Sequence, residues 1–261
     1  MNVLFLGENV GKCGTDSLNK ALKPLKDELK IDFTVINGEG TSMGYGIMPE
    51  HVRLLYKAGV DAVTLGEKTF FKSDMTENLG KFDRVLRPAN YPEGTSGSGV
   101  KYMYAGSRKV CLINMLGMMS FQFPHLRNPY EYALDIVDKA RNQTPFVFFV
   151  FHAQATAEKT SMGYLLNGKA SCVIGTHTKV MTSNARILSG GTAYISDIGM
   201  CGASLGVGGF NPENEILKIR TGMGVRSKEC NLRPQLQGVS VGIDDESGKA
   251  YSIETVIRDV Y

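Results

Sequence analysis

The sequence predicts an α/β fold built on two β-sheets. Short apolar runs alternate with stretches whose apolar residues recur at helical spacing. Past about residue 190 the pattern changes, and short strands dominate. Alternation followed by a strand-rich end points to two sheets flanked by helices. No repeat, low-complexity segment or linker-like shift divides the 261 residues, so 1–261 is read as a single domain.

The elements follow in order. Residues 3–6 form an apolar strand, and 15–29 read as a helix. Pro24 is expected to kink or shorten that helix, because it lacks an N–H and its ring meets the preceding turn. Residues 32–36 are a second strand. Residues 49–58 are a helix, with Pro49 at the first position and Gly59 as its stop. Residues 62–65 are a third strand. A loop rich in Pro, Gly and Ser, 87–99, leads to strands 102–105 and 110–115. Helix 129–140, strand 146–151, helix 155–166 and strand 172–174 come next. Strands 193–196, 238–243 and 252–257 complete the pattern.

Composition narrows the function. Hydrophobic residues make up 43% and charged residues 21%, which excludes a disordered chain. Lys plus Arg is 29 against 26 acids, so the net charge of +3 favours neither a nucleic-acid duplex nor an acidic membrane surface. The longest apolar run, 146–151, is far short of the ~20 residues a membrane span needs. The first residues lack the basic region of a secretory signal. Five cysteines, at 13, 111, 172, 201 and 230, form no C-x-x-C pair. An odd number without that spacing favours reduced thiols and a cytoplasmic setting. Cys172 lies inside an apolar strand and reads as packing.

The strand ends carry the chemistry. Glu8, Glu39, Glu67 with Lys68, His152, His177 with Lys179, and Asp197 each follow an apolar run. In parallel α/β sheets the carboxyl ends of strands share one edge, where ligand sites form. Any strand end turns polar where it meets water, but these residue types are selective: two of the four histidines sit there. The others, His51 and His125, read as surface or packing residues. Residues 163–170 resemble a P-loop but lack its Ser/Thr and follow a helix where a strand is required. The glycine-rich stretch 40–46 lacks dinucleotide spacing and reads as a loop rimming the crevice. Met115, Met118 and Met119 are either core filler or a contact surface.

Several stretches, in order, resemble one family. They are FLGENVG at 5–11, INGE at 36–39, AGVDAVTLG at 58–66, LRPANYPEGT at 86–95 and NMLG at 114–117. Further on come FHAQATAEK at 151–159, GTHT at 175–178, GTAYISDIGM at 191–200 and QLQGV at 235–239. Together they are similar to the YmdB-type branch of the calcineurin-like metallophosphoesterases. The resemblance implies a two-sheet αββα sandwich and a cytosolic phosphodiesterase acting on 2′,3′-cyclic nucleotides with two metal ions. It also implies departures. Glu8 stands where the family has Asp, Gly40 where it has Asn, and Glu67 and Lys68 where it has Asn and the general-acid His. Lys179 stands where it has the second His of its GTHTH motif.

Carried over, the resemblance places one metal among Glu39, Glu67, His152 and His177, a donor set suited to Zn²⁺, Mn²⁺ or Fe²⁺. The same four residues could instead be a hydrogen-bonded cluster without metal. The other metal position falls to Glu8, Glu39 and Lys179, and an ammonium has no lone pair to offer a cation. That position is expected to be vacated, with Lys179 in ion-pair reach of Glu8 or Glu39. The cofactor expectation is therefore at most one divalent metal, or none. Lys68 replaces the general acid only if its pKa is strongly depressed; Lys68 and Lys179 together are candidates for binding phosphate. The first reading is a catalytically impaired homologue with a structural or ligand-binding role. The alternative is a mononuclear phosphodiesterase for 2′,3′-cyclic nucleotides. The expected partners are a phosphate-containing small molecule or none, and further copies of the chain or a protein assembly.

Overall fold

A computed structural model describes residues 1–121 and 125–261. The chain begins with β1 (Asn2–Asn9), α1 (Gly11–Leu29), β2 (Phe33–Asn37), α2 (Pro49–Lys57), β3 (Ala62–Thr64), α3 (Ser73–Asn78) and β4 (Val85–Leu86). It continues with β5 (Val100–Ala105), β6 (Arg108–Leu116), α4 (Pro129–Arg141), β7 (Phe146–His152), α5 (Thr156–Leu165), β8 (Cys172–Thr176), β9 (Arg186–Ile187) and β10 (Ala193–Ile195). It ends with β11 (Met200–Ala203), α6 (Pro212–Thr221), β12 (Pro234–Ile243) and β13 (Ala250–Asp259).

These strands form two sheets. One has the order β13-β12-β11-β1-β2-β3-β4, with β12 also pairing to β1; the other has the order β5-β6-β7-β8-β10-β9. Alternation along β1 shows how they stack. Val3 and Phe5 face the second sheet and join Phe148, Val150, Ile174 and Val239 in a shared core. Leu4 and Leu6 point the other way, onto Leu18 and Leu22 of α1 and Leu55 of α2. Both faces are buried, so β1 reads as a continuous apolar run rather than an alternating one. On the far side, Ala133 and Val137 of α4 and Met162 of α5 cover Phe149 and Val173. The result is helix, sheet, sheet, helix.

The two-sheet fold stands, with changes in detail. The strand-rich end supplies β11, β12 and β13, which return to the first sheet around β1. The first helix starts at Gly11 and runs through Pro24 to Leu29 uncut. Pro24 lies on its exposed face, where the Lys20 carbonyl that lacks an N–H partner meets water. Short elements without sequence periodicity, namely α3, β4, β9, β11 and α6, appear only in the structure.

One irregularity positions the site. β1 is shifted in register between Leu6 and Glu8, so that Glu8 stands opposite Asn37 of β2. Gly7 allows it, since a Cβ there would lie 2.2 Å from the Gly199 carbonyl oxygen.

Candidate metal and phosphate site

The parallel strands β1, β2, β3, β7 and β8 bring their carboxyl ends to one edge of the sandwich. His152, the last residue of β7, is fully buried there. Its Nδ1 lies 2.9 Å from both Asn37 Nδ2 at the end of β2 and Thr176 Oγ1 at the end of β8. Those two contacts fix the ring plane and aim Nε2 into the site. Nε2 meets Glu67 Oε2 at 2.7 Å, Glu39 Oε2 at 2.9 Å and His177 Nδ1 at 3.1 Å.

The two carboxylates are held differently. Glu39 Oε1 accepts the backbone N–H of Gly66 at 2.8 Å and that of Lys68, which ties it to the loop after β3. Its Oε2 is buried and faces the His152 Nε2. Gly66 is required for this packing: a Cβ there would lie 2.3 Å from the His152 ring and 2.4 Å from Glu39 Oε2. Glu67 leaves the same loop and reaches both histidines, with His177 Nδ1 3.5 Å from its Oε2. Its other oxygen pairs with Lys68 Nζ at 3.3 Å. His177 follows β8 with φ 110°, and Lys179 has φ 62°, so the chain turns sharply through both. The Phe121 ring covers the histidines, edge-on to His177 at 5.1 Å and stacked on His152 at 6.3 Å.

Electrostatics follow from this crowding. Burial pushes the Glu39 carboxyl up. Burial alone would lower His152, but Glu39 and Glu67 overcome it and raise it to about 10. Burial opposes ionisation of Glu67 too, yet hydrogen bonds from His152 and His177 hold it well below the usual carboxylate range. Without a metal, His152 therefore keeps its Nε2 proton at neutral pH. Lys68 is half-sequestered. Burial pulls it down, but Glu8, Glu39 and Glu67 together raise it, so it stays an ammonium.

Ligand atoms of Glu67, His152 and His177 lie within 4.8 Å of one another, a spacing that suits one divalent ion. Glu39 Oε2, paired with the His152 ring, is a further oxygen donor beside them. The set is chemically fit for a single metal.

Glu8, at the end of β1, is 1% exposed and pairs with Lys179 Nζ at 3.2 Å. Lys68 and Lys179 both line a cavity of about 300 Å³ that opens beside the cluster, together with Tyr45, Phe210, Lys218 and Ser227.

Asp197 is the strand-end residue that does not join the site. Its Oδ2 accepts from Lys159 Nζ at 2.8 Å and from Thr178 N–H at 2.9 Å, and Oδ1 accepts from Gly199 N–H at 3.0 Å. It anchors the His177 turn from beneath. Sequence reasoning missed Lys159, Asn37, Thr176, Phe121 and Phe210. Lys159 had a signal: it sits with Met162 and Gly163 on the buried face of α5. Of the remaining candidates, His51 is half-buried on α2 and His125 is exposed. All five cysteines are free and buried. Met115 is core, while Met118 and Met119 are each 51% exposed. Among the described residues no helix is long and apolar enough to cross a membrane.

Two facing sheets, outer helices and a carboxylate–imidazole cluster at the strand ends define a metallophosphoesterase-type αββα domain. Solved structures agree on the fold: an NAD nucleotidase of Haemophilus influenzae shares it at TM-score 0.56 and 10% identity, over 100% of this chain and 56% of that one. A phosphatase from Mycoplasma pneumoniae superposes at TM-score 0.92 with 28% identity, covering 99% of this chain and 93% of that one. The model of the YmdB-like protein family matches residues 4–256, and the chain belongs to that family. The 2′,3′-cyclic-nucleotide 2′-phosphodiesterase of Bacillus subtilis is 38% identical over 257 residues, 98% of this chain and 97% of that relative.

Proposed function

We propose that the chain is a phosphodiesterase of small phosphate esters, 2′,3′-cyclic nucleotides foremost, that works with one divalent metal. The observation that carries this reading is the convergence of Glu67, His152 and His177, with Glu39 Oε2 against the His152 ring. The phosphodiesterase relative from Bacillus subtilis supports hydrolysis over the impaired reading. A divalent ion held by these residues would polarise a phosphoryl oxygen and acidify a bound water.

The protein's own groups supply the rest. Asn37 and Thr176 orient the His152 ring. Lys68 and Lys179 line the neighbouring cavity and present ammonium charges to phosphoryl oxygens. Lys68 acts there as a fixed charge and not as the proton donor, because its neighbours hold it protonated. The leaving oxygen then takes its proton from water in the open cavity.

The test is hydrolysis of 2′,3′-cyclic AMP by protein reconstituted with Mn²⁺, Zn²⁺ or Fe²⁺. Activity that needs the metal and is lost in His152→Ala is the expected result. No turnover with any of the three ions, and no metal retained per chain, would overturn it. The second reading, ligand binding without cleavage, then stands. It is favoured by the Lys68–Glu67 and Lys179–Glu8 pairs, which neutralise carboxylates without any ion.

A further inference from the structure

We infer that Lys179 is a resident cation for Glu8, with Gly40 as the residue that makes room for the pair, so that this end of the site takes no divalent ion. The inference deepens the single-metal reading above but rests on different residues.

Glu8 is 1% exposed, and its Oε1 has no hydrogen bond. A buried carboxylate in that state must protonate or find a cation. The Lys179 ammonium, 3.2 Å from the same oxygen, supplies the cation. The lysine is itself built into place. Its backbone takes φ 62°, its ammonium lies 5.7 Å from the centre of the Phe210 ring, and its stem passes 3.7 Å from where a Cβ at Gly208 would be. Phe210 is buried and packed against Val10 and Met200. Gly44 leaves space for its ring, since a Cβ there would come within 2.8 Å of it.

Gly40 completes the arrangement. A Cβ at that position would lie 2.3 Å from Glu8 Oε1 and 3.1 Å from its carboxyl carbon. The Glu8 carboxylate therefore occupies the volume that any side chain at 40 would need. A divalent ion at Glu8 would have to sit within a few ångströms of the ammonium, and like charges at that distance repel strongly in a buried setting. The Glu8 end is thus closed to metal, while the Glu67, His152 and His177 end is open to it. Lys179 also lines the 300 Å³ cavity, so its ammonium is available there to a phosphoryl oxygen.

The experiment pairs metal counting with melting in chelator, and neither readout is activity. Equilibrium dialysis against Mn²⁺ should load no more than one ion on the unmodified chain. Lys179→His should add one further ion, since imidazole is a ligand and histidine tolerates the left-handed backbone. In EDTA, Lys179→Met should lower the melting temperature by on the order of 5–10 °C, and Glu8→Gln in the same background should restore most of the loss. Gly40→Ala should lower it too, and Glu8→Asp should partly rescue Gly40→Ala by withdrawing the oxygen from the added methyl. Two Mn²⁺ on the unmodified chain, or an unchanged melting temperature for Lys179→Met, overturns the inference. Zero Mn²⁺ on the unmodified chain sinks the single-metal function instead and leaves the melting arm to decide this one.

Discussion

Replacing Asp197 with Asn isolates what holds the His177 turn. Lys159 and Asp197 are each 1% exposed and joined at 2.8 Å, so the pair is dry. Burial outweighs the carboxylate and lowers the Lys159 pKa even in the intact pair. In Asp197→Asn the ammonium loses the carboxylate it touches, and only the more distant pull of buried Glu158 remains. Breaking one side of a buried pair costs about 3–5 kcal/mol. The lysine has an escape: it can shed its proton. From an ordinary pKa near 10.4, deprotonation at neutral pH costs roughly 4–5 kcal/mol, at about 1.36 kcal/mol per unit. The two routes give the same ceiling. At about 2–4 °C per kcal/mol for a large domain, the melting temperature falls by roughly 6–20 °C. The proton leaves a signature. With Lys159 neutral when folded and charged when unfolded, the unfolded state binds more protons, so stability rises with pH. The slope is about 1.4 kcal/mol per pH unit up to the unfolded pKa near 10.4. Urea unfolding at several pH values between 7 and 10 reads both terms. Lys159→Met with Asp197→Asn should recover more than half of the loss, since no charge remains buried. Metal affinity should fall about tenfold in the single variant, because Thr178 N–H loses the carboxylate that positions His177. An Asp197→Asn protein as stable as the parent, with no added pH slope, would refute this account.

Three further outcomes follow from named contacts. Because Glu39 and Glu67 raise His152 to about 10, a metal must displace its Nε2 proton. Calorimetric Mn²⁺ affinity should rise up to about tenfold per pH unit between 6 and 9, with proton uptake by the buffer; pH-independent binding contradicts it. In chelator the sign reverses: the His152 contribution is fully present below its ordinary value of 6.5 and is lost as pH climbs through about 10, so the metal-free protein should weaken in that window. Gly163→Ala improves helix propensity yet should destabilise by about 1–3 kcal/mol in urea unfolding, because its Cβ would lie 2.5 Å from the buried Tyr194 ring; a stabilised variant contradicts that packing.

Much of the fold was legible because its strands are apolar on both faces. β1, β7 and β8 announce themselves as continuous runs, and α2 carries its Pro start and Gly stop. What escaped has no such pattern. β4 and β9 are two residues each and are defined by what pairs beside them. α6 buries none of its residues, so no periodicity marks it. The sheet membership of β12 and β13 depends on a long return to β1, which spacing along the chain does not record.

At the site, residue type was readable and residue partnership was not. The rule that strand ends share an edge brings Glu8, Glu39, Glu67, His152 and His177 together. It assigns Asp197 to the same crevice, yet Asp197 turns under the sheet edge because a lysine from α5 waits there. A strand end says where the backbone stops, not which way the next side chain turns; that is settled by a buried countercharge from another element. The same logic separates the two ends of the site. Glu39 is answered by the His152 imidazole, and imidazole yields its proton to a metal. Glu8 faces an ammonium that a glycine and an aromatic ring hold in place. A carboxylate answered by imidazole leaves a site open to a metal, and one answered by lysine closes it. The charges alone are equal in the two cases, so the distinction lies in the lone pair that only the imidazole can offer.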